Sequence, residues 1–316
     1  MDIKHLFESG IKFVSDSDYR FKILAAKGKY NDMPDEEYLK RLYKATFKKT
    51  LNLENPQTFN EKLQWLKLYY KRPDYTMMAD KYAVRPYIAE KIGEEHLVPL
   101  LGVWDNADDI DFDSLPQQFV LKCNHNSGLG MCICKDKTKL DFQKVRDELK
   151  KGLAEDYSVV SREWQYRDIP RKIICEKYMK DDKQNEKTGI INYKVNCFNG
   201  VPKYIYVSSN VEGKTNDRLS LLTPEWDNAP FTHGRYRAFD GTPPKPLNYE
   251  KMLEYSKILS ENIPYVRVDF YGIDSQLYFS ELTFTIASGF TRYEPEGSDE
   301  LIGSWLTLPP KWNEEV

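Results

Sequence analysis

Apolar and polar positions alternate twice in succession between Tyr265 and Phe284. Val266, Val268 and Phe270 are interleaved with Arg267, Asp269 and Tyr271, a period of two that places the apolar set on one face of a strand. Gly272-Ile273-Asp274-Ser275 interrupts the run. Leu277 to Phe284 then alternates again, with Glu281 and Thr283 on one face and Ser280, Leu282 and Phe284 on the other. The pattern predicts a β-hairpin with Asp269 and Glu281 side by side and Arg267 two residues from Asp269 on the same face.

Helical spacing dominates upstream. Residues 1–115 read as mostly helical. Met33-Pro34-Asp35-Glu36-Glu37 opens a helix to about Lys49, and Thr58-Phe59-Asn60-Glu61 is a capping box continued by Leu63, Leu66 and Tyr70. Asp80-Lys81 starts another helix, and LVPLLGVW reads as a short strand. FVLKC and MCICK are strands flanking a polar loop, Asn124–Gly130. Leu140–Leu153 is a helix, Lys172–Met179 a strand, and Ile190–Phe198 a strand with Asn192, Lys194 and Asn196 on one face. Asn199-Gly200 is a hairpin turn into Pro202–Ser208. Residues 209–247 show no periodicity and read as a functional loop or lid. Leu247–Glu261 is a helix leading to the hairpin at 265.

Composition narrows the class. The chain has 316 residues, 41% hydrophobic and 30% charged, with a net charge of −3, so no bulk charge draws it to nucleic acid or anionic membrane. No apolar run is long enough to span a bilayer, and the charged N-terminus does not resemble a signal peptide. An amphipathic helix over 1–14 packs on the body or docks elsewhere. The location expected is cytoplasmic, with peripheral attachment at the inner membrane as the alternative. Five cysteines, without histidine clusters or zinc spacing, read as buried thiols.

Two features carry candidate chemistry. The Asn124–Gly130 loop joins strand to strand, lacks GK[ST], and is therefore not a Walker A loop. It can fold over a triphosphate as a nest, with Lys122 at its base. In the hairpin, Asp269 and Glu281 repel unless they share a proton or a cation, and hard oxygens beside a guanidinium suit Mg²⁺ on a polyphosphate. On that basis, neutralising either acid leaves metal-free stability unchanged or raises it. The competing reading is an Arg–carboxylate pair on a solvated sheet face.

In order, FNEKLQWLK, DKYAVR, FVLKCNHNSG, YKVNCFNG, VRVDFY and ELTFTIASG resemble the TupA-like members of the ATP-grasp carboxylate–amine ligases, over roughly residues 55–295. The resemblance implies an α+β fold in which two antiparallel α+β lobes clamp ATP, preceded by a mostly helical N-terminal region. The divisions are 1–115, 116–180 with the glycine loop, and 181–316 with the metal site and the lid at 209–247. ATP and Mg²⁺ are the implied cofactors. Lys81, Lys122 and Lys194 would meet the phosphates, with Asn124, Ser127, Gly128 and Gly130 in the loop. Glu176, Lys177, Tyr178 and Met179 would read adenine, and Asp182 the ribose. Asp269 and Glu281 would bind Mg²⁺, with Thr283 where the family usually has Asn. Arg267 and Lys194 would be catalytic. Arg218, Arg235, Ser288, Gly289 and Arg292 would serve the substrate. The implied partners are a carboxylate-bearing sugar acceptor of surface-polysaccharide synthesis and an amine donor, without nucleic acid. A glycosyltransferase and a non-catalytic nucleotide or glycan binder remain alternatives. The DxD spacings at Asp109–Asp113 precede a strand and do not fit a transferase metal site.

Overall fold

The computed structural model describes residues 13–180, 190–209, 218–233, 237–273 and 275–312. Most of the amphipathic segment expected over 1–14, together with Asp182 and Arg235, lies outside them.

The N-terminal helices are α1 (Ser17–Ala26), α2 (Asp35–Phe47), α3 (Phe59–Tyr69), α4 (Asp74–Ala79) and α5 (Val84–Ile92). Their starts follow the local sequence. Asp16 accepts from the Asp18 and Tyr19 N–H groups, and Pro34 precedes α2 with Asp35, Glu36 and Glu37 in its first turn. The Thr58–Glu61 capping box is formed on both sides. Asp80-Lys81 does not open a helix. Asp80 instead accepts from the Tyr82 N–H at 2.7 Å, making a turn from which α5 begins at Val84.

A first, four-stranded antiparallel sheet has the order β1-β4-β2-β3, with β1 (Leu100–Trp104), β2 (Phe119–Cys123), β3 (Met131–Cys134) and β4 (Ile173–Lys177). Its edge strand β1 thus comes from upstream of residue 116. Helices α6 (Phe142–Ala154) and α7 (Tyr157–Ser161) lie between β3 and β4 in sequence. One face of the sheet, with Phe119, Leu121, Cys134 and Cys175, packs on Val145 and Leu149 of α6. The other carries Val120, Lys122, Met131, Ile133 and Glu176.

The second sheet is five-stranded, order β10-β9-β5-β6-β7, from β5 (Ile191–Phe198), β6 (Val201–Ser209), β7 (Arg218–Leu222), β9 (Tyr265–Ile273) and β10 (Gln276–Thr283). Asn199 and Gly200 both have positive φ, as a tight two-residue hairpin turn requires. Val195, Val266, Val268 and Phe270 pack on Met252 and Leu259 of α8 (Tyr249–Leu259). A short pair, β8 (Thr232–His233) with β11 (Tyr293–Glu294), and α9 (Ser298–Ser304) complete the described elements.

Two further expectations are corrected. Residues 218–222 of the supposed aperiodic stretch form an edge strand paired with β6. RLSLL is buried on consecutive residues, so period-two reading misses it. The alternation in β10 also slips: a bulge lies between Phe279 and Glu281. Ser280 therefore does not share a face with Leu282 and Phe284, and lines the cleft with Glu281 instead.

Candidate functional site

A cleft of about 310 Å³ opens between the two sheets. Its first wall comes from β2, β3 and β4. There Leu129, Met131 and Ile133 are 40%, 49% and 39% exposed, an apolar strip with little packed on it. Lys177, Tyr178 and Met179 at the end of β4 also line it. The second wall comes from the face of β5, β9 and β10 that points away from α8. Strand register places Lys194 opposite Asp269, and Asp269 opposite Glu281, in one row across three neighbouring strands.

The charges interlock. The Lys194 Nζ donates to Asp269 at 2.6 Å, and Lys122 pairs with Glu176 at 2.6 Å. Arg267 grips both oxygens of Asp269 at 2.6 Å and reaches Glu281 at 3.1 Å. The two hairpin carboxylates are therefore neighbours as expected, but their repulsion is not left open: a guanidinium bridges them. Counting Lys81, Lys122, Lys194 and Arg267 against Glu176, Asp269 and Glu281 leaves an excess of one positive charge.

Protonation follows from this setting. Burial alone would raise the Glu281 pKa, but Lys81, Lys194, Arg267 and Lys122 reverse that and hold it down to about 2. Burial lowers the Lys81 pKa, with Glu281 opposing. Lys122 is also desolvated, yet the Glu176 carboxylate beside it raises its pKa. Arg267 is raised above its ordinary value: burial opposes its charge, and Asp269 outweighs burial.

The Asn124–Gly130 loop divides into a fixed base and a short tip. Asn124 is buried, donating to Asp80 at 2.8 Å and accepting from the Lys172 N–H at 2.8 Å. His125 meets the Glu155 carbonyl at 3.1 Å, and Asn126 donates to the Glu155 carboxylate at 2.9 Å. Lys81 donates to the Asn126 carbonyl at 2.7 Å. Gly130, at φ +68°, lies against the Gly152 backbone so closely that a Cβ would approach its Cα to 2.8 Å. Asn124 and Gly130 thus act as scaffold, and Ser127, Gly128 and Leu129 face the cleft.

The remaining candidates spread out. Thr283 donates to Glu281 at 3.4 Å. Ser288 and Gly289 form a turn beyond β10 whose carbonyls accept from Gln64 and Lys67 of α3. Arg218 pairs with Asp240 at 2.9 Å, and Arg292 donates to the Thr46 carbonyl. Neither Arg218 nor Arg292 lines the cleft. Asn60, Gln64, Lys67 and Glu163 escaped sequence reading although all are buried. The signal was present in the helical spacing of Asn60, Gln64 and Lys67, polar residues on one stripe.

A metal would find a modest donor set. Among the described residues no group of three or more His, Cys, Asp or Glu side chains converges. Glu281 lines the cleft, whereas Asp269 is 1% exposed with both oxygens taken. Of the hairpin pair the cleft thus offers Mg²⁺ one carboxylate, Glu281, which suits an ion that keeps phosphate and water ligands. No helix among the described residues is long and apolar enough to cross a membrane.

Comparison with known proteins places this architecture. Among curated proteins none matches the sequence. Among solved structures, a D-alanine–D-alanine ligase from Bacillus anthracis complexed with ATP is 17% identical, over 66% of this chain and 55% of that one, TM-score 0.39. The ATP-grasp ligase PsnB with a phosphomimetic variant of its minimal precursor, Mg and ADP is 9% identical, over 82% and 65%, TM-score 0.39. N5-carboxyaminoimidazole ribonucleotide synthetase from Thermus thermophilus is 12% identical, over 78% and 52%, TM-score 0.37. The chain spans 52% to 65% of the length of these structures. The model of one family, TupA-like ATP-grasp, matches residues 61–307, which take in both sheets and every lining residue of the cleft. The chain belongs to the TupA-like ATP-grasp family.

Proposed function

We propose that the protein is an ATP-dependent, Mg²⁺-dependent ligase that joins an amine to a carboxylate through an acyl phosphate. The observation that carries this reading is the composition of the cleft, where an exposed apolar strip, Leu129, Met131 and Ile133, runs beside Lys81, Lys122, Lys194 and Glu281, with Met131 opposite Lys122 in register. A flat base suits the strip, and a polyphosphate suits an excess of positive charge.

In this reading the lysines hold the phosphates and Ser127–Leu129 cover them. Mg²⁺ held by Glu281, with Thr283 beside it and Asp269 joining only by giving up a bond to Arg267 or Lys194, would neutralise charge on the phosphate oxygens. The acceptor carboxylate attacks the γ-phosphorus in line, forming the acyl C–O–P linkage and releasing ADP. Arg267 offsets charge that grows on the equatorial oxygens. The amine then attacks the acyl carbon, forming the amide and releasing phosphate and a proton. Water must be excluded, since it would hydrolyse the acyl phosphate. The stretch 209–247 is the proposed lid, with β7 as its fixed part.

The acceptor class we propose is a uronic-acid carboxyl on a surface-polysaccharide precursor, on the strength of the family resemblance. The test is thermal unfolding with ligands. MgATP should raise the melting temperature, and UDP-sugars alone should not. A shift with UDP-sugars only would overturn the ligase in favour of a transferase. ADP formation by the wild type, absent in Glu281→Gln, would support turnover at this site.

A further inference from the structure

The segment from Glu155 to Gln165 touches both the glycine loop and the turn beyond β10. At its start, Glu155 fixes the base of the glycine loop through Asn126 and His125. The Tyr157 ring, two residues on, meets Tyr166 edge-on at 5.0 Å.

At its other end the same segment holds the turn beyond β10. Ala287, Ser288 and Gly289 all have positive φ, at 44°, 56° and 73°. Successive left-handed residues, two of them not glycine, persist only where the surroundings hold them. Glu163 accepts from the Ser288 hydroxyl at 2.7 Å and from the Thr285 hydroxyl. Lys67 closes the clamp, donating to the Ser161 carbonyl at 2.8 Å and the Ser288 carbonyl at 2.9 Å. Burial pushes the Lys67 ammonium down to about 7, so this is a costly group to keep there.

We propose that residues 155–165 form a strap that sets the base of the glycine loop and the Thr285–Gly289 turn together, with Glu155 and Glu163 as positioning residues. The strap spans from a loop of the first sheet to a turn that leaves the second, so the glycine loop and that turn take up their positions jointly. The coupling stands on the contacts alone; its value to catalysis rests on the ligase reading above.

Hydrogen exchange on the full-length chain, read by mass spectrometry, tests it. In ligand-free protein, Glu163→Gln should speed exchange about tenfold in 285–291 and also measurably in 124–130, with residues 191–198 unchanged. Glu155→Ala, which removes the carboxylate that accepts from Asn126, should do the converse, loosening 124–130 first and 285–291 with it. Variants that loosen only their own end overturn the strap. So does exchange raised equally everywhere, which is loss of global stability. A second arm adds MgATP. It should slow exchange in 285–291 of the wild type, and each variant should lose that protection while still binding MgATP by calorimetry. Protection that survives in both variants overturns the strap. Absence of MgATP binding by the wild type overturns the ligase reading and leaves the ligand-free arm to decide the strap.

Discussion

At the scale of single residues, Asp269 is the most constrained group of the site. It is buried and holds two cations, Arg267 and Lys194. The hairpin pattern suggested that removing an acid relieves repulsion. With Arg267 between the carboxylates the sign reverses. Asp269→Asn should destabilise the metal-free protein by about 3–5 kcal/mol, because it strands buried positive charge, and urea unfolding measures this. Glu281 supplies a pH signature. Its folded pKa, about 2, lies below the ordinary value of 4.5. A depressed carboxylate contributes stability that is fully present above the unfolded pKa and is lost as pH falls through the folded one. Wild type should therefore lose stability between pH 4.5 and about 2 more steeply than Glu281→Gln, as followed by urea titrations across that range. Parallel profiles would show that the surrounding cations do not act on Glu281.

Among the elements, α6 shows how packing overrides propensity. An Ala in place of a helical Gly ordinarily favours the helix by about 0.5–1 kcal/mol. Gly152 is different, since a Cβ there would stand 2.6 Å from the Gly130 Cα and 2.7 Å from the Cys123 Sγ. Gly152→Ala should instead destabilise by about 1–3 kcal/mol, the usual cost of overpacking. It should also weaken MgATP binding by displacing the loop base. Denaturant unfolding and calorimetry check both, and a stabilised variant would refute the close contact. The helix α3 teaches the same lesson through polar groups. Asn60 donates to the Thr291 carbonyl at 2.8 Å, and Gln64 to the Gly289 carbonyl at 2.8 Å. A stripe that looks solvent-facing in the sequence is buried because it satisfies the backbone of a distant turn.

Across the whole molecule, the site exists only where two sheets meet. Lys122 stands on β2 and Lys194 on β5, so one triphosphate would bridge the lobes. Replacing either by Met should cost about 1–3 kcal/mol of MgATP affinity while the fold survives. Because both would contact one ligand in the proposed complex, the double variant should depart from additivity by at least about 0.5 kcal/mol in calorimetric titrations. Unchanged binding in both single variants would remove the lysines from the site.

Local features were legible in the chain. The hairpin around Asp269 and Glu281, the Thr58–Glu61 cap, the Asn199-Gly200 turn and the face shared by Asn192, Lys194 and Asn196 all follow from period, capping and turn chemistry within a few residues. Tertiary structure decided the rest. The bulge at Ser280 re-aims part of β10, and RLSLL becomes a strand only because β6 offers it an edge. Glu163 reaches Ser288 across 125 residues of sequence, and Arg267 chooses both acids over solvent. Short-range order is written in neighbouring residues, whereas the partner of a buried charge is set by whichever distant segment the fold brings within hydrogen-bonding distance.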